Sequence, residues 1–295
     1  MHRIRICSII LFVVACLAFG VMKGRQYLSR DQVAPAISMD KDRITVDCDA
    51  DNEELLKGIT AEDSKDGDVT RDLVIEKLSN FTKKGERKMT VAAFDSDGNV
   101  SKVTRTVKYK DYRSPRFGLE GPLKYAMDSR NIDIPLTAVD VIDGDITGKI
   151  KITGKNDIRL DKAGNYKVTF SVANSGGDVS ELPVTIRVVD PAEENAKPQI
   201  ELEKYLIYTK EGKKVDLWKN IIALKANGKY FEREGNALRE VDPQDPNDPM
   251  TLGRDDFEID TGEVKYKEKG TYEAICKFTD SRDHRGSIRV IIVVN

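Results

Sequence analysis

The chain has 295 residues, of which 39% are hydrophobic and 33% are charged. Its 48 basic and 50 acidic residues leave a net charge of −2, so charge gives no reason to expect a nucleic acid partner. This balance of apolar and charged residues is typical of folded, water-exposed modules.

The N-terminal segment, residues 1–22, is predicted to be a membrane anchor or a signal segment. The run Ile6–Met22 carries no charge and lies between Arg5 and Lys23. Seventeen residues is the lower limit for a helix that spans a membrane and is long for the apolar part of a signal peptide. Residues 23–34 follow as a polar spacer.

Three interpretations of this segment stay open. The favoured one is an uncleaved, single-pass signal anchor that holds the body outside the cytoplasm. A cleaved secretory signal is the second, although its small-residue cleavage site is poor. A lipoprotein is the third, because Val13-Val14-Ala15-Cys16 resembles a lipobox.

The body of the chain is internally repeated. Pro35, Pro115 and Pro198 each open the pattern Pro-x-apolar-x-apolar, at spacings of 80 and 83 residues. A period of this length indicates tandem modules. We therefore predict three modules, called repeats one, two and three below, over 35–110, 114–190 and 198–295.

Apolar and polar residues alternate with period two along each repeat, which predicts antiparallel strands with one buried face. A glycine and a tyrosine precede the long strand in repeats two and three, at Gly164-Asn-Tyr166 and Gly270-Thr-Tyr272. This pattern predicts a tyrosine corner, in which the hydroxyl bonds nearby backbone. Arg87 takes the tyrosine position in repeat one. The expected fold is all-β: three tandem immunoglobulin-like β-sandwiches after one N-terminal helix.

A second motif recurs in repeats one and two. Repeat one contains Thr60-Ala-Glu-Asp-Ser-Lys-Asp-Gly-Asp-Val-Thr70, and repeat two contains Thr137-Ala-Val-Asp-Val-Ile-Asp-Gly-Asp-Ile-Thr147. With the later Gly-x-Tyr strand and the Asp95-Ser-Asp-Gly-Asn99 hairpin, this resembles the bacterial immunoglobulin-like surface domain of the pesticidal-crystal-protein type over about 35–190. The resemblance implies non-catalytic modules of secreted or surface proteins. Repeat three keeps only part of the pattern.

The recurring carboxylates allow two interpretations. Calcium is bound by six to eight oxygen ligands, and closely spaced aspartates could begin such a site, with Asp95 or Asp97 to complete it. Alternatively, the carboxylates accept backbone hydrogen bonds in a tight turn, because Asp-Gly is a turn dipeptide. The candidate calcium ligands are Asp63, Asp66, Asp68, Asp140, Asp143 and Asp145.

Catalytic signals are close to absent, so we expect no enzymatic activity. The two histidines are His2, which precedes the apolar run, and His284. A serine or cysteine nucleophile activated by histidine would have to use His284, and a zinc site with two histidines is excluded. Cys48 and Cys276 lie in different repeats and are expected to point into separate cores.

Repeat three has the most individual sequence. It contains the single tryptophan, Trp218, near Tyr230 and Phe231, and residues 226–250 look like an insertion. Aromatic side chains beside a long polar loop could bind a partner, although they could equally belong to the core.

The function that these features predict is a non-catalytic, membrane-anchored bacterial cell-surface protein. Its modules would serve adhesion or envelope assembly, with an envelope protein as partner. The alternatives are a carbohydrate-binding module for cell-wall glycan and a passive surface spacer.

Overall fold

The computed structural model describes residues 2–28, 32–245 and 247–295. Helix α1 spans His2–Leu28. Its side chains from residue 8 to residue 24 are exposed. In the described part of the chain, no helix combines the length and the apolar character needed to cross a membrane. The helix therefore forms where the anchor was predicted, but the structure does not support the predicted membrane span of Ile6–Met22.

The body is mostly antiparallel β-structure, and the chain divides into two compact units at Tyr112 and Arg113. The first unit contains repeat one, which forms a three-stranded sheet (β1-β3-β4) and a four-stranded sheet (β2-β7-β6-β5). Its elements are β1 (Ala36–Met39), β2 (Arg43–Val46), α2 (Asn52–Leu56), β3 (Ile59–Asp63), β4 (Gly67–Asp68), β5 (Val74–Lys83), β6 (Glu86–Phe94) and β7 (Val100–Tyr109).

The second unit contains repeats two and three. Repeat two again pairs a three-stranded sheet (β11-β10-β8) with a four-stranded one (β12-β13-β14-β9). Its elements, with the short helix that follows, are β8 (Arg116–Leu119), β9 (Lys124–Ala126), β10 (Leu136–Asp140), β11 (Gly144–Asp145), β12 (Lys151–Thr153), β13 (Gly164–Ala173), β14 (Val179–Val189) and α3 (Pro191–Glu194).

Repeat three has a five-stranded sheet (β15-β17-β18-β19-β20) and a four-stranded sheet (β16-β23-β22-β21). Its strands are β15 (Gln199–Leu202), β16 (Leu206–Thr209), β17 (Ile221–Ala226), β18 (Lys229–Glu234), β19 (Ala237–Val241), β20 (Thr251–Leu252), β21 (Phe257–Asp260), β22 (Gly270–Thr279) and β23 (Arg285–Val294). The predicted insertion at 226–250 is thus largely a hairpin that widens one sheet, and the described residues that follow it, 242–245 and 247–250, lie outside its strands.

One plan is used three times. In each repeat the last two strands form a long antiparallel hairpin: β6 with β7, β13 with β14, and β22 with β23. The second strand of the repeat then pairs in parallel with the final one: β2 with β7, β9 with β14, and β16 with β23. This regularity is why the sequence repeat is detectable.

Each sandwich buries the apolar residues of its alternating strands. The core of repeat two joins Phe117 and Ala138 of one sheet to Phe170 and Ile186 of the other. In repeat three, Cys276 is completely buried, and desolvation raises the pKa of its thiol to about 12. Cys48 is only half-buried, so the prediction that both cysteines are core residues holds for Cys276 alone.

The tyrosine ties form as predicted. Tyr166 donates its hydroxyl hydrogen to the carbonyl of Lys162 at 2.9 Å, and Tyr272 donates to the carbonyl of Glu268 at 3.0 Å. In repeat one, Arg87 instead donates from Nε to the hydroxyl of Tyr109 at 3.0 Å, and its guanidinium lies 5.1 Å from that ring's centre. Repeat one therefore replaces the tyrosine corner by a buried arginine–tyrosine contact.

Candidate functional site

The aspartate motif of repeat one forms a tight turn between β3 and β4. Asp63 ends β3, and its Oδ1 accepts the backbone N–H groups of Lys65 at 2.9 Å and Asp66 at 3.0 Å. Gly67 follows with φ of 72°, a left-handed conformation that favours glycine. Asp68 then accepts the N–H of Thr70 at 2.9 Å. Two of the three carboxylates thus hold the turn itself.

The third carboxylate ties this turn to a loop of the other sheet. Asp66 accepts the backbone N–H of Ser96 at 2.7 Å and its hydroxyl at 2.9 Å. Ser96 lies in the loop between β6 and β7. Because β3 and β6 belong to different sheets, this pair of hydrogen bonds links both sheets at one end of the sandwich.

Repeat two has the same construction at the same positions. Asp140 accepts the N–H groups of Ile142 and Asp143 at 2.9 and 3.1 Å, and Asp145 accepts that of Thr147 at 2.9 Å. Asp143 accepts the N–H of Ser175 at 2.7 Å. We call each such set the aspartate turn of its repeat.

Hydrogen bonding lowers the pKa of three of these carboxylates. The side-chain and backbone hydrogen bonds of Thr70 lower the pKa of Asp68, and those of Thr147 do the same for Asp145. Burial acts to raise the pKa of Asp143, but hydrogen bonds from Ser175 and Lys149 outweigh it, and the net shift is downward. The fold therefore stabilises the charged form of Asp68, Asp143 and Asp145.

The six predicted calcium ligands therefore lie in two separate turns, where each accepts at least one hydrogen bond from nearby backbone. In the described part of the chain, no three histidine, cysteine, aspartate or glutamate side chains are grouped so that they could hold a metal ion. The turn interpretation accounts for the recurring spacing, because every aspartate of the motif has a backbone donor at the same relative position in both repeats.

One position distinguishes the two aspartate turns. In repeat two, the second oxygen of Asp140 accepts a hydrogen bond from the Nδ2 of Asn174 at 3.1 Å. In repeat one the corresponding atom, Oδ2 of Asp63, is buried and has no hydrogen-bond partner among the described residues. The residue that corresponds to Asn174 is Asp95, which has no donor to offer. The sequence motif does not show this difference, because Asp95 lies far from the motif in the chain.

The predicted aromatic site of repeat three is not a surface. Trp218 is 7% exposed and Phe231 is 2% exposed, and both belong to the core. Trp218 packs against Phe257 with ring centres 5.3 Å apart, and the guanidinium carbon of Arg233 lies 4.2 Å from the centre of the Trp218 ring. Only Tyr230 is partly exposed. Trp218 and Phe231, two of the three residues predicted to bind a partner, are therefore inaccessible to a partner, because they are buried in the hydrophobic core of repeat three.

Repeats two and three meet at a seam that the sequence did not predict. Leu206 and Ile291 of repeat three belong to the core of repeat two. The hydroxyl of Tyr208 accepts the backbone N–H of Phe117 at 2.9 Å, and Arg116 lies 4.9 Å from the same ring's centre. At this seam, side chains of repeat three therefore form part of the hydrophobic core of repeat two.

Charged side chains complete the seam. Glu273 of repeat three accepts the N–H of Thr185 at 3.1 Å and bonds Arg289 at 2.9 Å. Lys124 of repeat two lies 2.8 Å from the carboxylate of Glu194 in α3 and 3.2 Å from the amide oxygen of Gln199. The cavity left between these groups has a volume of about 30 Å³, enough for little more than water. The seam is a packed joint and not a ligand pocket.

Comparison with known proteins gives little more. No protein-family model matches the chain. An uncharacterized 81.3 kDa protein of Acholeplasma phage L2 is 30% identical over 115 residues, which are 37% of this chain and 16% of that protein. The chain thus spans about a sixth of the length of this relative.

Several solved structures are similar at low TM-scores. The lipoprotein BT2262 from Bacteroides thetaiotaomicron is 13% identical, with 60% of this chain and 98% of that one covered and a TM-score of 0.23. The extracellular domain of protocadherin GammaB4 is 12% identical, with 88% and 49% covered and a TM-score of 0.21. The M60 catalytic domain with CBM51 domains of Clostridium perfringens ZmpB is 15% identical, with 90% and 31% covered and a TM-score of 0.20. At these scores the similarity carries no argument about function.

Proposed function

We propose that this protein is a non-catalytic envelope protein whose immunoglobulin-like modules act outside the cytoplasm in adhesion or envelope assembly. The observation that carries the proposal is the seam between repeats two and three. A protein that presents a surface at a fixed distance gains from a stiff joint, because a flexible joint would lose entropy on binding. Apolar packing, a tyrosine hydrogen bond and two charged networks supply such a joint here.

Adhesion and carbohydrate binding were both expected to use a site in repeat three, at Trp218, Tyr230 and Phe231. Trp218 and Phe231 are core residues, so this site supports neither function over the other. The passive spacer differs from our proposal only in having no partner. The binding test below distinguishes these functions.

Location outside the cytoplasm is proposed from the sequence pattern of residues 1–22. The test is labelling of intact cells that express the full chain with a membrane-impermeant amine reagent. We expect labelling of lysines in the body, with a cytoplasmic protein as the unlabelled control. Labelling that appears only after the cells are lysed would contradict the proposed location.

To test binding, the purified full chain is immobilised on beads. The beads are incubated separately with solubilised envelope proteins and with purified wall polysaccharide. We expect specific capture of a protein. A matched variant replaces loop residues 242–250 by a glycine–serine linker of equal length, which leaves β18 and β19 intact. Capture of polysaccharide alone would favour the carbohydrate-binding function, and capture of neither would favour the spacer.

A further inference from the structure

The aspartate turn of repeat one differs from that of repeat two by one uncompensated carboxylate oxygen. Asp63 is 4% exposed, and its Oδ1 is used by two backbone N–H groups. Its Oδ2 is buried without a hydrogen-bond partner among the described residues. Burying a carboxylate oxygen without a hydrogen-bond donor costs free energy. A cation or a hydrogen-bond donor near Oδ2 of Asp63 would therefore stabilise the fold.

The second repeat shows where Oδ2 points. Asn174 accepts the N–H of Asp178 at 3.0 Å through its Oδ1 and donates its Nδ2 to Asp140. Asp95 accepts the equivalent N–H, that of Asn99, at 2.7 Å through its own Oδ1. Since the two loops are anchored alike, the second oxygen of Asp95 takes the place of the Asn174 amide. By this equivalence, Oδ2 of Asp63 would lie toward the carboxylate of Asp95.

The neighbouring charged side chains have partners of their own. The Nζ of Lys65 lies 2.6 Å from the carboxylate of Asp97. The carboxylates of Asp66 and Asp68 accept hydrogen bonds from Ser96 and Thr70. Asp63 and Asp95 therefore offer hard oxygen ligands of the kind that calcium prefers.

We propose that Asp63 and Asp95 together bind a divalent cation, with calcium as the best fit, and that only repeat one has this site. Asn99 supplies a third oxygen. As assigned, its Nδ2 donates a hydrogen bond to Asp95 at 2.6 Å. The oxygen and nitrogen of an asparagine amide are distinguished only by their hydrogen bonds, and rotating the amide by 180° presents Oδ1 to the cation instead. Asp95 and Asn99 are partly exposed, so water completes the shell. Calcium tolerates such irregular, partly hydrated coordination, whereas magnesium demands a regular octahedron.

This site differs from the one that the motif suggested. The motif pointed to three aspartates in each of two repeats, with Asp95 or Asp97 to complete the site in repeat one. The structure leaves Asp66 and Asp68 to the turn and selects Asp95, which lies in a loop of the other sheet. Repeat two is excluded, because Asn174 already satisfies the equivalent oxygen. With two carboxylates and water, the dissociation constant should lie in the range of about 10⁻⁴–10⁻³ M that is typical of extracellular modules.

The test is calorimetric titration of the full chain with calcium chloride at constant ionic strength, together with its melting temperature. We expect one calcium ion per chain and a rise in the melting temperature of repeat one of about 5–10 °C at ten times the dissociation constant. Asp95→Asn should abolish binding and, by restoring the asparagine hydrogen bond, raise the melting temperature without calcium. Asp97→Asn removes the same charge from the same loop but should retain binding.

Asn174→Asp provides the converse variant. It creates the carboxylate pair in repeat two and should raise the stoichiometry to two calcium ions. The proposal is overturned by a wild-type chain that neither binds calcium nor changes its melting temperature. It is also overturned if Asp95→Asn binds calcium as well as wild type, or if the wild-type chain binds two calcium ions.

Discussion

Substitution of two neighbouring isoleucines on β23 allows the contribution of the seam to stability to be measured separately from that of the core of repeat three. Ile291 is 5% exposed and belongs to the core of repeat two, whereas Ile292 is fully buried in the core of repeat three. Their side chains point to opposite faces because successive residues of a strand alternate. The substitutions Ile291→Ala and Ile292→Ala therefore remove the same atoms from two different places.

Each substitution should lower the free energy of unfolding by about 2–5 kcal/mol, the usual cost of truncating a buried isoleucine. For a unit of this size, a loss of about 3 kcal/mol lowers the melting temperature by about 6–12 °C. The two variants should differ in cooperativity. Ile291→Ala weakens the contact between the repeats, so repeats two and three should unfold in separate steps. Ile292→Ala weakens repeat three itself and should leave one common step.

The assay uses two local probes in the full chain. Fluorescence of Trp218, the single tryptophan, reports on repeat three, and hydrogen exchange of the peptide covering β13 reports on repeat two. In wild type both probes should change at the same urea concentration. In Ile291→Ala they should separate by more than the fitting error. Coincident transitions in Ile291→Ala, or a loss of stability below about 0.5 kcal/mol, would refute the packed seam.

Three further substitutions test other contacts. Tyr166→Phe and Tyr272→Phe each remove one hydrogen bond to a backbone carbonyl and should each cost about 0.5–1.5 kcal/mol in urea unfolding, and no measurable loss would show that these exposed bonds contribute nothing. Asp143 has a folded-state pKa below its usual value, so its contribution to stability is complete at neutral pH and is lost as the pH falls through the unfolded value of about 3.9 toward the lower folded one. Asp143→Asn should therefore flatten the acid limb of the stability profile, and the exposed Asp157→Asn should not; equal profiles for both variants would contradict this role.

The fold followed from the sequence because the repeat shows the same signals three times. Alternation predicted the long hairpins, and the Gly-x-Tyr pattern predicted two tyrosine ties that the structure contains. Such signals are local, since a strand's buried face and a turn's glycine are set by residues close in the chain.

The sites followed less well because they depend on contacts between distant residues. The burial of Trp218 depends on Phe257 in β21 and Arg233 in β18, which lie far from it in the chain. The lack of a hydrogen-bond donor for Oδ2 of Asp63 follows only from the three-dimensional structure, which places the loop of Asp95 beside the turn. The comparison with repeat two, where Asn174 donates to the equivalent oxygen, is also needed. To predict the seam, one would have to recognise that Leu206 and Ile291 are apolar residues that face outward from their own sandwich. No single stretch of sequence carries these facts.

The central claim is that repeats two and three form one stiff body, and a distance distribution tests it directly. Spin labels at Lys151 in repeat two and Glu232 in repeat three, both exposed, can be attached to a full chain whose four native cysteines are replaced. Pulsed electron resonance should give one narrow distance distribution, and Ile291→Ala should broaden it. A broad distribution in the unsubstituted background, as for two domains on a free linker, would contradict the claim.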